Sequence, residues 1–316
     1  MLCRYRTVTI DAFTTERFQG NPCMILPQAD GLSTDQMQAI ARETNLSETA
    51  FVFPSKMADF RVRYFIPRYE IPFAGHPTIA TSFMLAESGA IALVEPFTRL
   101  ELEFNIGVLP VEIEVRYGLP VRVVMTQKAP TFGLQFAREE VAPCLGLDTQ
   151  DLRDDCLPQV VSTGVPFLIV PLRDLAALQR LETDRLRAVQ LIKRAGVDAV
   201  FLFTLGGFSR EADTHARLVD PRGTSEDPFT GSASGCMGAY VIHYGLRPGP
   251  TLQLEQGHII GRPGYGVLEV QGTPQNISGI RLGGAAVKVM EGYVYVTDQA
   301  HAIAPPSWVD SSQPAC

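Results

Sequence analysis

Glu70-Ile71-Pro72-Phe73-Ala74-Gly75-His76 and Glu226-Asp227-Pro228-Phe229-Thr230-Gly231-Ser232 are two copies of one pattern. Glu, Pro, Phe and Gly recur at matching places, and small Ala74 stands against small Thr230. The copies lie 156 residues apart, from 70 to 226, in a chain of 316. A spacing near half the chain predicts a duplicated domain, because solenoid repeats have periods of roughly 20–50 residues.

The run after each copy is as informative as the copy itself. From Pro77 to Ala86, and again from Pro228 to Ile242, no side chain is charged. Both runs are small and apolar, and a helix that is apolar all round is buried all round. At about a dozen residues each they fall short of the ~20 needed to span a bilayer. The pattern predicts one buried helix per half, each starting at a Gly-containing turn. Ser232 is the expected N-cap of the second, and Pro77 is expected at the first helical position of the other. A buried helix N-terminus has unpaired N–H groups and a partial positive charge, so it favours an anion. Two such ends facing across a cleft would hold a small carboxylate, with Gly75, Gly231 and Ser232 supplying backbone N–H groups.

Composition bounds the function. The length predicts about two domains at ~150 residues each. Hydrophobic residues make up 46% and charged residues 19%, ordinary for a soluble globular protein. The net charge is −7, from 27 basic and 34 acidic residues without a basic block, which argues against nucleic-acid binding. Six scattered cysteines without a Cys-x-x-Cys pair read as reduced thiols of a cytoplasmic protein. Neither a signal peptide nor a membrane span is expected. His215, His243, His258 and His301 show no paired spacing, so no metal site is expected. Gly107, Gly266 and Gly272 belong to no nucleotide-binding motif.

Strands are expected at Tyr5–Phe13, Cys23–Leu26, Ala50–Phe53, Phe60–Ile66, Arg99–Phe104, Val108–Val115 and Val121–Met125. A helix opens at Ser33, with Gln36 completing a capping box. In the second half, helices are expected at Glu139–Leu145, Leu175–Leu181 and Asp184–Ala195. Strands are expected at Gln159–Ser162, Phe167–Val170, Ala199–Thr204, Asp213–Val219, Leu252–Leu254, Gly266–Val270, Ile280–Leu282, Ala286–Met290 and Tyr293–Val296. Strands dominate, and few alternate with long helices, so a doubly wound parallel sheet is disfavoured. The expected fold is α+β: two pseudo-symmetric domains, each a curved sheet around one buried central helix. The divisions are 1–126, 127–300 and a loose tail at 301–316, with strands near 287–300 packing back on the first domain.

Several segments carry a resemblance: Asp11-Ala12-Phe13-Thr14 with Gly20-Asn21-Pro22; Asn45-Leu46-Ser47-Glu48-Thr49; the two repeated stretches; Ser162-Thr163-Gly164; and Gln256-Gly257 with Gly261-Arg262-Pro263. In these the chain resembles the PhzF family (phenazine-biosynthesis PhzF-like isomerases) of the diaminopimelate epimerase superfamily. The resemblance implies an active site in the cleft between the domains, a homodimer, and neither cofactor nor metal. It implies that Glu48 is the acid/base that moves a proton between substrate carbons. Burial of Glu48 would raise its pKa toward working pH, as a base acting on a carbon acid requires. It implies further that His76 contacts substrate or helps transfer the proton, and that Asp227 binds an amine or hydroxyl group. Thr230 joins Gly75, Gly231 and Ser232 as an expected substrate-binding position.

Diaminopimelate epimerases place a Cys at the start of each central helix, where this chain has Ala74 and Thr230. Ala74 cannot transfer a proton, so a two-thiol racemase is excluded. A single carboxylate serves one face of a substrate. It suits a same-face proton shift on a small cyclic amino- and hydroxy-substituted carboxylic acid such as trans-2,3-dihydro-3-hydroxyanthranilate. Elimination of water by a lyase and a non-catalytic binding role are the other readings. Two departures bear on the substrate: Gly264 stands where the family usually has Ser, and the loop before Glu226 is short.

Overall fold

In the computed structural model, residues 2–223 and 226–297 are described. The expected tail at 301–316, with His301, and part of the loop before Glu226 lie outside those residues. The first half begins with β1 (Leu2–Ala12), which turns back into β2 (Asn21–Leu26). Helix α1 (Thr34–Thr44) carries the expected capping box. Ser33 Oγ accepts from the Gln36 amide at 3.2 Å, and Gln36 Oε1 accepts from the Ser33 amide at 2.8 Å. Its buried stripe is Met37, Ile40 and Ala41. Then come β3 (Glu48–Pro54), β4 (Phe60–Phe65) and short β5 (Glu70–Ile71). The first central helix is α2 (Gly75–Glu87), after which the chain forms β6 (Phe97–Phe104), β7 (Gly107–Arg116) and β8 (Leu119–Gln127).

The second half opens with β9 (Thr131–Gln135), α3 (Arg138–Val141) and β10 (Gln159–Ser162). Next are β11 (Pro166–Pro171), α4 (Leu175–Gln179), α5 (Arg185–Ala195), β12 (Val200–Leu205) and β13 (Thr214–Val219). The second central helix is α6 (Gly231–His243). Strands β14 (Thr251–Gln256), β15 (Gly264–Thr273), β16 (Asn276–Gly284) and β17 (Ala286–Thr297) complete the described residues.

The pairing repeats between halves. In the first, β2 and β3 are parallel, as are β4 and β6; in the second, β11 and β12 are parallel, as are β13 and β14. A parallel pair needs a crossover. Helices α2 and α6 are the crossovers of the matching pairs β4/β6 and β13/β14, which places both inside their curved sheets. The halves join where β8 pairs antiparallel with β16, two strands at equivalent places in the repeat. Strand β17 pairs with β1 along its whole length, although it comes after the second half in sequence.

Burial agrees with composition. Every residue of α2 from His76 to Ala86 is buried, and so is every residue of α6 from Ala233 to Ile242. Small residues in α6 let strands close on it: a Cβ on Gly238 would lie 2.5 Å from Leu268 Cδ2. One continuous core contains both central helices. Separate apolar clusters underlie α1 and the α3–α5 layer. No helix among the described residues is long and apolar enough to cross a membrane.

The structure corrects four expectations. The N-cap of α6 is Thr230, because its carbonyl already accepts the first intrahelical bond, from the Ser234 amide at 2.9 Å. Pro77 stands third in α2, where its missing N–H would have no intrahelical acceptor. The strands expected at 286–290 and 293–296 are one strand, because long β1 templates all of it through a register shift at Thr9/Ile10. Strand β9 is an addition. Its side chains are mostly exposed and do not alternate, so pairing with β10 defines it.

Phe229 is fully buried and stacks on Phe13 across the two halves, with ring centroids 3.9 Å apart and planes at 18°. Phe229→Ala should lose about 3–5 kcal/mol of stability. Urea unfolding monitored by circular dichroism checks this; an unchanged midpoint would show that the stack is dispensable.

Candidate active site

The site is assembled where the starts of α2 and α6 meet. A Cβ built on Gly75 would lie 3.8 Å from the Ser232 nitrogen and 3.9 Å from the Gly231 Cα, so the two first turns are in van der Waals range. Neither helix has a side-chain cap or an acidic residue in its first turn. By contrast α1, α4 and α5 are capped by Ser33, Asp174 and Asp184. The first-turn amides of Gly75, Gly231 and Ser232 have no preceding turn to accept from them.

Asp227 is held from both halves. Its Oδ1 accepts from Asn21 Nδ2 at 2.7 Å and its Oδ2 from the Thr230 hydroxyl at 2.5 Å. Gln256 completes the cradle: its Oε1 accepts from the Thr230 amide at 2.9 Å, and its Nε2 donates to the Asp227 carbonyl at 2.8 Å. The Asn21 segment is itself anchored by Arg262, which donates to the Gly20 and Gln19 carbonyls and to Asp11 Oδ1, each at 2.8 Å.

Glu48 begins β3, beside Cys23 in the parallel register with β2. Its Oε2 lies 3.4 Å from Nε2 of His76, with Glu48 17% and His76 5% exposed. Neither atom has a hydrogen-bond partner within the described residues. Burial is the main reason the Glu48 carboxyl titrates high, at about 8, and the adjacent Asp227 charge adds to it. Burial likewise raises Asp227, to about 6, against the hydrogen bonds from Thr230 and Asn21. His76 is pushed down to about 3 by burial despite its hydrogen bond to the Pro22 backbone, so the ring is neutral at working pH. A protonated Glu48 facing a neutral imidazole nitrogen is a proton donor with an acceptor in place. Ionised, it is a base whose conjugate acid titrates close to neutrality.

The fold thus gathers Glu48, His76, Asp227, Gly75, Thr230, Gly231 and Ser232 into one place. Within that group the Thr230 hydroxyl is already engaged, donating to Asp227 at 2.5 Å and accepting from Gln256 Nε2 at 3.3 Å. Asn21, Gln256 and Arg262 are legible in the sequence only as motif letters. Nothing in their spacing signals that they hold Asp227 and its surroundings. Gly264 has a steric explanation, because a Cβ there would meet Phe229 Cδ2 at 2.8 Å. His215 and His258, which have no paired spacing in the sequence, come together with Glu255 in the fold.

A sheet curved around a central helix in each half is a diaminopimelate epimerase-like fold, and the relatives of the chain make it an isomerase. Residues 10–292 match PhzC-PhzF, the phenazine biosynthesis-like protein family, and the chain belongs to that family. An uncharacterized isomerase of Clostridium acetobutylicum is 32% identical, over 92% of this chain and 98% of its own length. The trans-2,3-dihydro-3-hydroxyanthranilate isomerase of Pseudomonas aeruginosa is 33% identical, over 92% of this chain and all 100% of its own. The crystal structure of a Bacillus anthracis PhzF-family protein superposes with a TM-score of 0.84 at 33% identity, covering 93% of this chain and 100% of that one.

The raised Glu48 pKa sets a pH dependence of stability. The folded state holds a proton between the ordinary value of 4.5 and about 8 that the unfolded chain has released. Stability therefore falls as pH rises through that window. Glu48→Gln, which cannot ionise, should melt above wild type at pH 8 by roughly 2 °C or more, with the gap closing toward pH 5. Calorimetry at the two pH values tests this; a gap independent of pH would sink the assignment of a raised carboxyl.

Proposed function

We propose that this protein isomerises a small cyclic carboxylic acid bearing amino and hydroxyl groups, with Glu48 as the proton shuttle. The substrate carboxylate sits between the N-termini of α2 and α6, where Gly75, Gly231 and Ser232 present amides and no side-chain cap competes. Asp227 holds the amine or hydroxyl group. Glu48 as carboxylate takes a proton from the hydroxyl-bearing carbon, and the electron pair moves into the conjugated system. The same carboxyl then returns the proton to a carbon further along, on the same face, so no atom is gained or lost. Neutral His76 holds the Glu48 proton or a substrate hydroxyl between the two steps. Side chains supply all of this chemistry, so the reaction needs no cofactor.

One observation carries the reading: a carboxyl with a pKa near working pH lies 3.4 Å from a neutral imidazole at the meeting of two uncapped helix ends. The named activity of the Pseudomonas aeruginosa relative supports trans-2,3-dihydro-3-hydroxyanthranilate as the first substrate to try. The homodimer and cytoplasmic location implied by the family belong to the same proposal, and sedimentation of the purified protein tests the former.

Incubation with that compound in deuterated water, wild type beside Glu48→Gln, tests the mechanism by mass spectrometry and NMR. Wild type should give an isomer carrying at most the exchanged deuterium. The variant should be slower by about 10²-fold or more, as expected for loss of a positioned acid/base. A product lighter by one water would make the protein a lyase. An active Glu48→Gln would remove Glu48 from the chemistry. No conversion by wild type would exclude this substrate.

A further inference from the structure

A second cluster of chemistry-bearing side chains lies on the other surface of the sheet that surrounds α6. In the parallel pairing of β13 with β14, His215 stands opposite Glu255. Their neighbours Ala216 and Leu254 belong to the central core. Strand alternation therefore turns His215 and Glu255 to the opposite surface. His258 comes next, in the 3₁₀ turn at His258–Ile260. Both rings converge on one carboxylate oxygen: Glu255 Oε2 lies 3.5 Å from His215 Nδ1 and 3.9 Å from His258 Nε2.

The cluster is buried and incompletely satisfied. His215 is 0% and Glu255 2% exposed. Neither ring nitrogen of His215 has a hydrogen-bond partner within the described residues, and the same holds for His258 Nδ1. Glu255 is well supplied. Its two oxygens accept from the Phe208 amide at 2.7 Å and the Ser209 amide at 3.0 Å. The Phe208 ring stacks on His258, with planes 2° apart, and fixes that imidazole. A buried imidazole whose Nε2 has no partner, and whose Nδ1 stands 3.5 Å from a fixed carboxylate oxygen without a formed hydrogen bond, is a costly arrangement unless something else binds there.

We propose that His215, Glu255 and His258 form a site for a divalent transition metal, with Zn²⁺ the ion that suits two imidazoles and a carboxylate. One donor atom from each residue lies within 4.8 Å of the others. Zinc bonds of roughly 2.0–2.2 Å require donors about 3.3–3.6 Å apart in a tetrahedron. The Glu255–His215 edge already meets this, and the widest edge must contract by about 1 Å. The fourth position falls to water or to the Tyr265 hydroxyl, 3.3 Å from His258 Nε2. A cavity of about 220 Å³, lined by Glu255 and Tyr265 together with Arg122, Ser209 and Glu211, opens beside the cluster on the Glu255 side. The site is structural in its effect. Glu255 precedes Gln256, which cradles Asp227 on the inner surface, so an ion bound outside fixes the strand that orders the active site.

The test uses the full chain, loaded with Zn²⁺ and dialysed against metal-free buffer, with retained zinc measured by plasma mass spectrometry. Wild type should keep about one equivalent and melt at a higher temperature than its metal-free form. His258→Asn and Glu255→Gln should each weaken zinc binding by at least about tenfold. His258 is the more accessible ligand, so this variant's metal-free form should melt close to metal-free wild type. If it does not, Glu255→Gln carries the comparison. Co²⁺ in place of zinc should give visible d–d bands without sulfur-to-cobalt charge transfer, which separates this site from the free cysteines. Absence of retained zinc, a sulfur-to-cobalt band, or retention unchanged in both variants would overturn the proposal.

Discussion

Two helix N-termini, both buried and both without a side-chain cap, are brought into contact at Gly75 and Ser232. Everything else in the molecule accommodates that meeting. The amides need an acceptor, and the partial positive charge of both ends is concentrated where water is scarce. Glycine at the front of each helix keeps the approach open, and the surrounding sheets, joined at β8 and β16, hold the ends in register. A carboxylate ligand is the natural complement. The same dry environment raises Glu48 and Asp227 toward neutrality. The uncapped helix ends and the raised carboxyls thus have one physical origin, exclusion of water from the meeting of the two helices.

Much of this is legible in the residues alone. The repeated Pro-Phe-x-Gly stretches and the charge-free runs after them specify two buried helices, because a solvent-facing helix cannot do without charge over so many residues. The capping box at Ser33 and Gln36 is a local signal, and it fixes the start of α1. Glu48, His76 and Asp227 are singled out by the family resemblance; apolar neighbours alone would leave Glu48 an ordinary carboxylate at a strand start. What the sequence hides is relational. Asn21 and Gln256 are ordinary amides until the fold sets them on either side of Asp227 and Thr230. The cap of α6 falls two residues before the expected one because a hydrogen bond made by a carbonyl leaves no mark on side-chain chemistry. His215 and His258 look unrelated because a parallel strand pair and a tight turn, not a short spacing, bring them together.

The residues at the helix starts also explain why a fold shared with epimerases need not epimerise. Ala74 has no proton to give, and the Thr230 hydroxyl is hydrogen-bonded to Asp227. The titratable carboxyls near the two helix starts are Glu48 and Asp227, both raised by burial. Gly264 packs on buried Phe229, which leaves no room there for a larger residue.

The long antiparallel pairing of β17 with β1 links residues as far apart in sequence as Arg6 and Glu291, joined by a 2.7 Å hydrogen bond. During synthesis on the ribosome the first half emerges complete in its own helices while the strand that covers β1 is still untranslated. Until then β1 presents an open row of backbone donors and acceptors to whatever it meets. The edge of the half made first therefore closes only when residues 286–297 arrive, and a pairing so distant in sequence is slow to form.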